Sequence, residues 1–118
     1  MPRAPDLRET VTSHTLKDLE RRLLSEKDLG EALQRLQGWS VANGKLHREF
    51  KFRDFKQAFS FMTGVALVAE SMDHHPDWSN VYNRVTIDLN THDLGGISSF
   101  DVEFAGRIGQ LLPQPPSH

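Results

Sequence analysis

Histidine is the side chain whose unperturbed pKa, about 6.5, lies closest to neutrality, which makes it the usual proton carrier of enzyme sites. The chain has six. His74 and His75 follow a predicted helix and His92 follows the strand segment after it, whereas His14, His47 and His118 fall in the tails or on a predicted hairpin. A return of the chain across a sheet can therefore bring His74, His75 and His92 together. Spacing alone leaves the alternative open, that these are unrelated histidines, each with its own surroundings. If they converge, the chemistry is paired acid–base catalysis: one imidazole donates a proton while a neutral one accepts, a division of labour that contributes about 10²- to 10⁴-fold.

Other chemistries are poorly represented. There is no cysteine, which removes disulfides, thiolate nucleophiles and zinc–cysteine sites. Glu70, Asp73 and Asp101 are suitable metal ligands beside the histidines, but adjacent His-His side chains diverge, and no His-Glu-x-x-His, Glu-x-x-His or facial-triad spacing can be read. No Gly-x-Ser-x-Gly elbow is present, and Gly95-Gly96 lacks the spacing of a phosphate-binding loop. Fourteen Lys and Arg against 16 Asp and Glu, without a basic block, give no electrostatic footprint for direct nucleic-acid binding. No apolar run approaches the roughly 20 residues that a membrane span needs, and no leader is seen, so a cytoplasmic protein is expected. With 37% hydrophobic and 25% charged residues, the composition is that of a globular protein with one core.

The elements that must position these groups can be read from periodicity. Residues 1–14 read as a flexible tail, 15–112 as a single domain and 113–118 as a second tail. Leu16, Leu19, Leu23 and Leu24 recur at helical spacing, and Ser25 then caps a helix carrying Leu29, Leu33 and Leu36, which ends near Gln37 before Gly38. Trp39–Val41 and Lys45–Phe52 flank Asn43-Gly44, the signature of a hairpin. Phe55, Phe59, Met62, Ala66 and Ala69 form the apolar stripe of a central helix, read as core, with Pro76 as its stop. From Val81 to Asn90 polar and apolar residues alternate as in a half-buried strand or a bent pair of strands. Ser98 or Ser99 caps a last helix that runs to about Leu111. The fold class is α+β, with one sheet face covered by helices.

Glu70-Ser71-Met72-Asp73-His74-His75-Pro76-Asp77-Trp78, followed by Thr91-His92 and Asp101, resembles the signature of the pterin-4a-carbinolamine dehydratases, also known as dimerisation cofactors of a homeodomain factor. The resemblance extends through Gly38-Trp39 and Phe52-Arg53-Asp54-Phe55, and covers about Leu24 to Leu112. It implies a four-stranded antiparallel sheet with three main helices, assembled as homodimers or homotetramers, with the Phe and Met stripe available to the interfaces. It also implies dehydration of a 4a-hydroxytetrahydropterin to quinonoid dihydropterin without metal or organic cofactor, in tetrahydrobiopterin recycling. Vertebrate relatives bind a homeodomain transcription factor through the self-assembly surface, so the resemblance admits a protein-interaction role too, or a related pterin role where no hydroxylase exists.

Carried over by position, His74, His75 and His92 surround the 4a-hydroxyl and Asp101 orients an imidazole. Asp73 and the segment Asn90, Thr91 and Asp93 line the pterin, with Glu70 and Trp78 at the pocket edge. The residue types suit the reaction. Hydroxide is a poor leaving group, so oxygen must gain a proton while N5 loses one. A carboxylate fixes the tautomer of the imidazole it contacts.

Overall fold

The computed structural model describes residues 20–113. The tail read over 1–14 lies outside them, as do Leu16, Leu19 and residues 114–118. In chain order the elements are α1 (Glu26–Arg35), β1 (Ser40–Ala42), β2 (Lys45–Lys51), α2 (Phe55–Met72), β3 (Asp77–Val81), β4 (Arg84–Leu89), a 3-10 turn (His92–Leu94) and α3 (Ser99–Gln110). The strands form one antiparallel sheet in the order β1-β2-β4-β3. Leu46 and Phe50 of β2 and Val85, Ile87 and Leu89 of β4 point to one face, where they meet Phe61, Val65, Phe104 and Ile108 from the helices. Burying such a side chain stabilises by about 1.5–3 kcal/mol. The class is the α+β expected, with helices on one sheet face. Among the described residues no helix is long and apolar enough to cross a membrane.

The helix starts follow their capping residues. The Ser25 hydroxyl accepts from Asp28 N at 3.1 Å, and Asp54 accepts from Gln57 N at 2.8 Å. That backbone N–H, with Arg53 and Lys56 nearby, holds the Asp54 carboxyl below the usual carboxylate range. A lowered folded-state pKa stabilises above the unfolded value of about 4, and the contribution disappears as pH falls through the folded value. Asp54→Ala should therefore lower Tm near neutral pH, and the gap from wild type should close in acid; thermal melts across pH 2–7 check both.

Several expectations need correction. Leu23 and Leu24 are not helical: Leu23 bridges Ser98 and Leu24 N donates to Ile97 O at 3.1 Å, so their backbone pairs with the segment before α3. α2 does not run to Pro76. It stops at Met72 because Asp73 adopts the left-handed conformation (φ 49°, ψ 45°), and His74 N then closes the helix end on Ala69 O at 3.0 Å.

Of the stripe read as core, Ala69 is buried and Met62 packs against the core, but the other three positions face away. Ala58, Phe61, Val65, Ala69 and Met72 are buried, whereas Phe55 (48% exposed), Phe59 (54%) and Ala66 face outward. α2 is apolar on two sides, so periodicity finds two stripes and does not say which meets the sheet.

The strand segment is a hairpin that begins at Asp77, with Tyr82-Asn83 as its turn. Tyr82 takes φ 51°, and the Asn80 side-chain amide donates to Tyr82 O and Arg84 O at 3.1 and 2.8 Å. Val81 pairs with Arg84, and directly opposed residues share a face, so Val81 points away from Val85 and is exposed. The Asn43-Gly44 turn is as expected, with both residues in the left-handed region (φ 53° and 75°).

Candidate active site

The helix stop at Asp73 determines where the histidine pair goes. The left-handed residue turns the chain sharply, and the next two side chains part: His74 goes inward and is buried, His75 stays exposed. His74 Nε2 lies 2.5 Å from Asp101 Oδ1. Its ring meets Phe100 and Phe104 edge-on, each at a centroid distance of 6.1 Å. His75 Nε2 lies 2.7 Å from Glu70 Oε1, one helical turn back on α2.

Asp101 is fully buried, and the start of α3 holds it there. Ser98 is the N-cap and Asp101 the reciprocal partner of a capping box: Asp101 Oδ2 accepts from Ser98 N at 2.8 Å. The same oxygen accepts from the Thr91 hydroxyl at 2.8 Å, and Thr91 Oγ1 lies 2.6 Å from Ser98 Oγ. With His74 these donors satisfy both carboxylate oxygens, as a buried charge requires. A carboxylate only accepts, so His74 carries its proton on Nε2. His74 Nδ1 has no partner among the described residues. Every sealed side-chain nitrogen or oxygen there does have one, so Nδ1 must reach solvent.

The solvent it reaches is a cleft of about 280 Å³ lined by Arg21, Asp73, His74, His75, Asn90, Thr91, His92 and Asp93. The 3-10 turn presents His92: Thr91 O accepts from Leu94 N and Gly95 N, and Thr91 N donates to Gly96 O, which closes the loop on itself. His74, His75 and His92 thus line one cleft. His47 is elsewhere, on the outer sheet face, 2.8 Å from Asp88. Of the other sequence-derived candidates, Asp73, Asn90, Thr91 and Asp93 line the cleft, Asp101 meets it through His74, and Glu70 through His75. Trp78 does not line it: the indole packs on the core from β3, opposite Ile87.

Arg21 was not foreseen. Its guanidinium pairs with the Asp93 carboxylate at the cleft mouth. That hydrogen bond raises the Arg21 pKa and holds the Asp93 carboxyl below the usual range. Seventy-two positions separate the partners, so no local pattern carries the signal. Among the described residues no group of three His, Asp or Glu side chains is placed to hold a metal ion.

A sheet with helices on one face, and a cleft where two imidazole–carboxylate pairs and a third imidazole meet, describe a small α+β enzyme equipped for proton transfer. The family model for pterin 4 alpha carbinolamine dehydratase matches residues 22–111, and the chain belongs to that family of hydro-lyases. A relative from Solibacter usitatus (strain Ellin6076), named as a pterin-4-alpha-carbinolamine dehydratase, is 57% identical over 88 residues, 75% of this chain and 93% of the relative. One of the same name from Prochlorococcus marinus (strain MIT 9303) is 50% identical over 91 residues, 77% of this chain and 95% of its own. Among solved structures, a transcriptional coactivator/pterin dehydratase from Brucella melitensis superposes with a TM-score of 0.72 at 43% identity, covering 75% of this chain and 96% of the other.

Proposed function

We propose that this chain, through a single domain over 15–112, removes water from 4a-hydroxytetrahydropterin, with the three imidazoles of the cleft moving the protons. The observation that carries the reading is the joint lining of one cleft by His74, His75 and His92. In the reaction the C4a–O bond breaks, oxygen leaves as water after gaining a proton, and N5 loses its proton as the C4a–N5 double bond forms. No oxidation state changes overall, so acid and base groups suffice. Asp101 fixes His74 with Nδ1 toward the cleft, and Glu70 fixes His75 in the same way. One imidazole serves the hydroxyl and another serves N5, while Asp73, Asn90, Thr91 and Asp93 border the ring. A cytoplasmic setting and tetrahydrobiopterin recycling belong to the same proposal, on the resemblance. Stopped-flow absorbance of freshly generated 4a-carbinolamine tests it: the purified protein should speed formation of the quinonoid product with turnover, and a rate equal to the buffer's would overturn it.

The outward face of α2 favours self-association as part of this reading. Phe55 and Phe59 meet as a tilted ring pair at a centroid distance of 5.7 Å, both about half exposed, and Leu67 further along is 68% exposed. An apolar face of this kind seeks a partner, and a second copy of the same helix offers the matching surface. Phe59→Asp should shift the protein to a smaller species in sedimentation velocity without unfolding it; an unchanged coefficient would remove this helix from any interface.

A further inference from the structure

We infer that a second cleft, between the C-terminal end of α1, the middle of β2 and the second half of α3, binds a small oxyanion, a carboxylate or a phosphate. Its centre is Arg48. β2 directs Leu46, Arg48 and Phe50 toward the helices, and Arg48 is the one charged side chain in that row, opposite Ile87 of β4. The guanidinium lies over the Phe50 ring, with Cζ 4.5 Å from its centroid, a cation–π contact that uses none of its N–H donors. It passes so close to Gly38 that a Cβ there would stand 2.7 Å from Nε and 2.8 Å from Cζ, and Gly38 itself takes φ +88°. The chain bends at glycine where the arginine needs room.

Among the described residues no acid answers this charge. Arg48 has no carboxylate partner and no hydrogen-bond acceptor there, although a guanidinium carries five N–H donors. Burial lowers its pKa, with no opposing charge acting to raise it. Arg35, in the last turn of α1, and Gln37 line the same cleft, together with Trp39, Ala105, Gly106 and Gly109. Among the described residues, Arg35, Gln37 and Arg48 thus line one cleft with no Asp or Glu on its walls.

The far wall is cut back. A Cβ added at Gly106 or Gly109 would meet nothing within 4 Å, so alanine would fit at either place. Glycine inside a helix costs about 1 kcal/mol relative to alanine, and here two stand on the side that borders the cleft. At about 270 Å³ the cleft falls just below the usual 300–1,000 Å³ of drug-sized sites. It suits the charged head of a small metabolite, which arginine recognises through paired N–H donors.

The proposal is tested by titrating the full ¹⁵N-labelled chain with inorganic phosphate, and separately with acetate, at ionic strength held constant with sodium chloride. The Arg48 Nε–H and Trp39 indole N–H resonances should shift and saturate with at least one of the two anions, and the tighter one identifies the preferred head group. Arg48→Met should abolish the saturating shift at Trp39, and Arg35→Gln, at an exposed helix end, should weaken binding by roughly tenfold. Shifts that grow linearly, that sodium chloride reproduces, or that persist in Arg48→Met would overturn the site. If Arg48→Met does not fold, unchanged affinity in Arg35→Gln would do the same.

Discussion

His75→Ala is expected to lose most dehydratase turnover, about 10²- to 10⁴-fold, the usual contribution of a general acid or base. It should do so without losing its fold. The His75 side chain is 57% exposed and its partner Glu70 is 77% exposed, and exposed ion pairs add little to stability. Urea unfolding of the variant should thus overlay that of wild type while the stopped-flow rate collapses. His74→Ala and His92→Ala should lose less turnover than His75→Ala. The His74 variant should also unfold at lower urea, because it strips a donor from a buried carboxylate. Wild-type turnover in His75→Ala would remove that residue from the mechanism.

Asp101 is expected to give the largest effect on stability. Asp101→Ala leaves His74 Nε2, the Thr91 hydroxyl and Ser98 N–H without their acceptor inside the protein. Leaving a buried donor unsatisfied costs about 1–3 kcal/mol, and several together are enough to threaten a domain of this size. Asp101→Asn separates positioning from packing. Its amide oxygen can still accept from Thr91 and Ser98, so the fold should largely persist. Its NH₂ would face His74 Nε2, and the imidazole then pairs best with its proton moved to Nδ1. That is the wrong tautomer for a group that accepts at the cleft, and turnover should fall toward that of His74→Ala, by the logic of an oriented triad histidine. A purely structural Asp101 predicts instead that the Asn variant, once folded, turns over normally.

The sequence disclosed most where local physics decides. Ser25 and Ser98 cap helices because their hydroxyls satisfy free N–H groups, and Asn43-Gly44 turns a hairpin because both residues tolerate positive φ. The same local rules fail where a choice is settled across the fold. α2 has two apolar stripes, and only the sheet decides which is covered. Tyr82 is an unexpected left-handed residue, since bulky side chains rarely turn a chain, so the sequence of the β3–β4 hairpin reads equally as one strand or a bent pair.

The site divides along the same line. His74, His75 and His92 could be named from their type and order, and Asp101 through the resemblance, but their arrangement could not. That His74 is buried and His75 exposed follows from a single left-handed residue, Asp73. That Asp101 serves α3 and His74 together follows from Ser98 and Thr91 meeting it in space. Arg21 carries no signal in the sequence because its partner lies far along the chain. Trp78, placed by resemblance at the pocket edge, packs on the core instead of lining the cleft.

The most direct measurement of the central claim is a titration of the ¹⁵N-labelled protein with 7,8-dihydropterin, a stable ring analogue of the substrate, followed at the histidine imidazoles. His74, His75 and His92 should shift together with one saturation curve, while His47, on the outer sheet face, stays still. Saturable binding that moves His47 and leaves the other three unmoved would contradict the account.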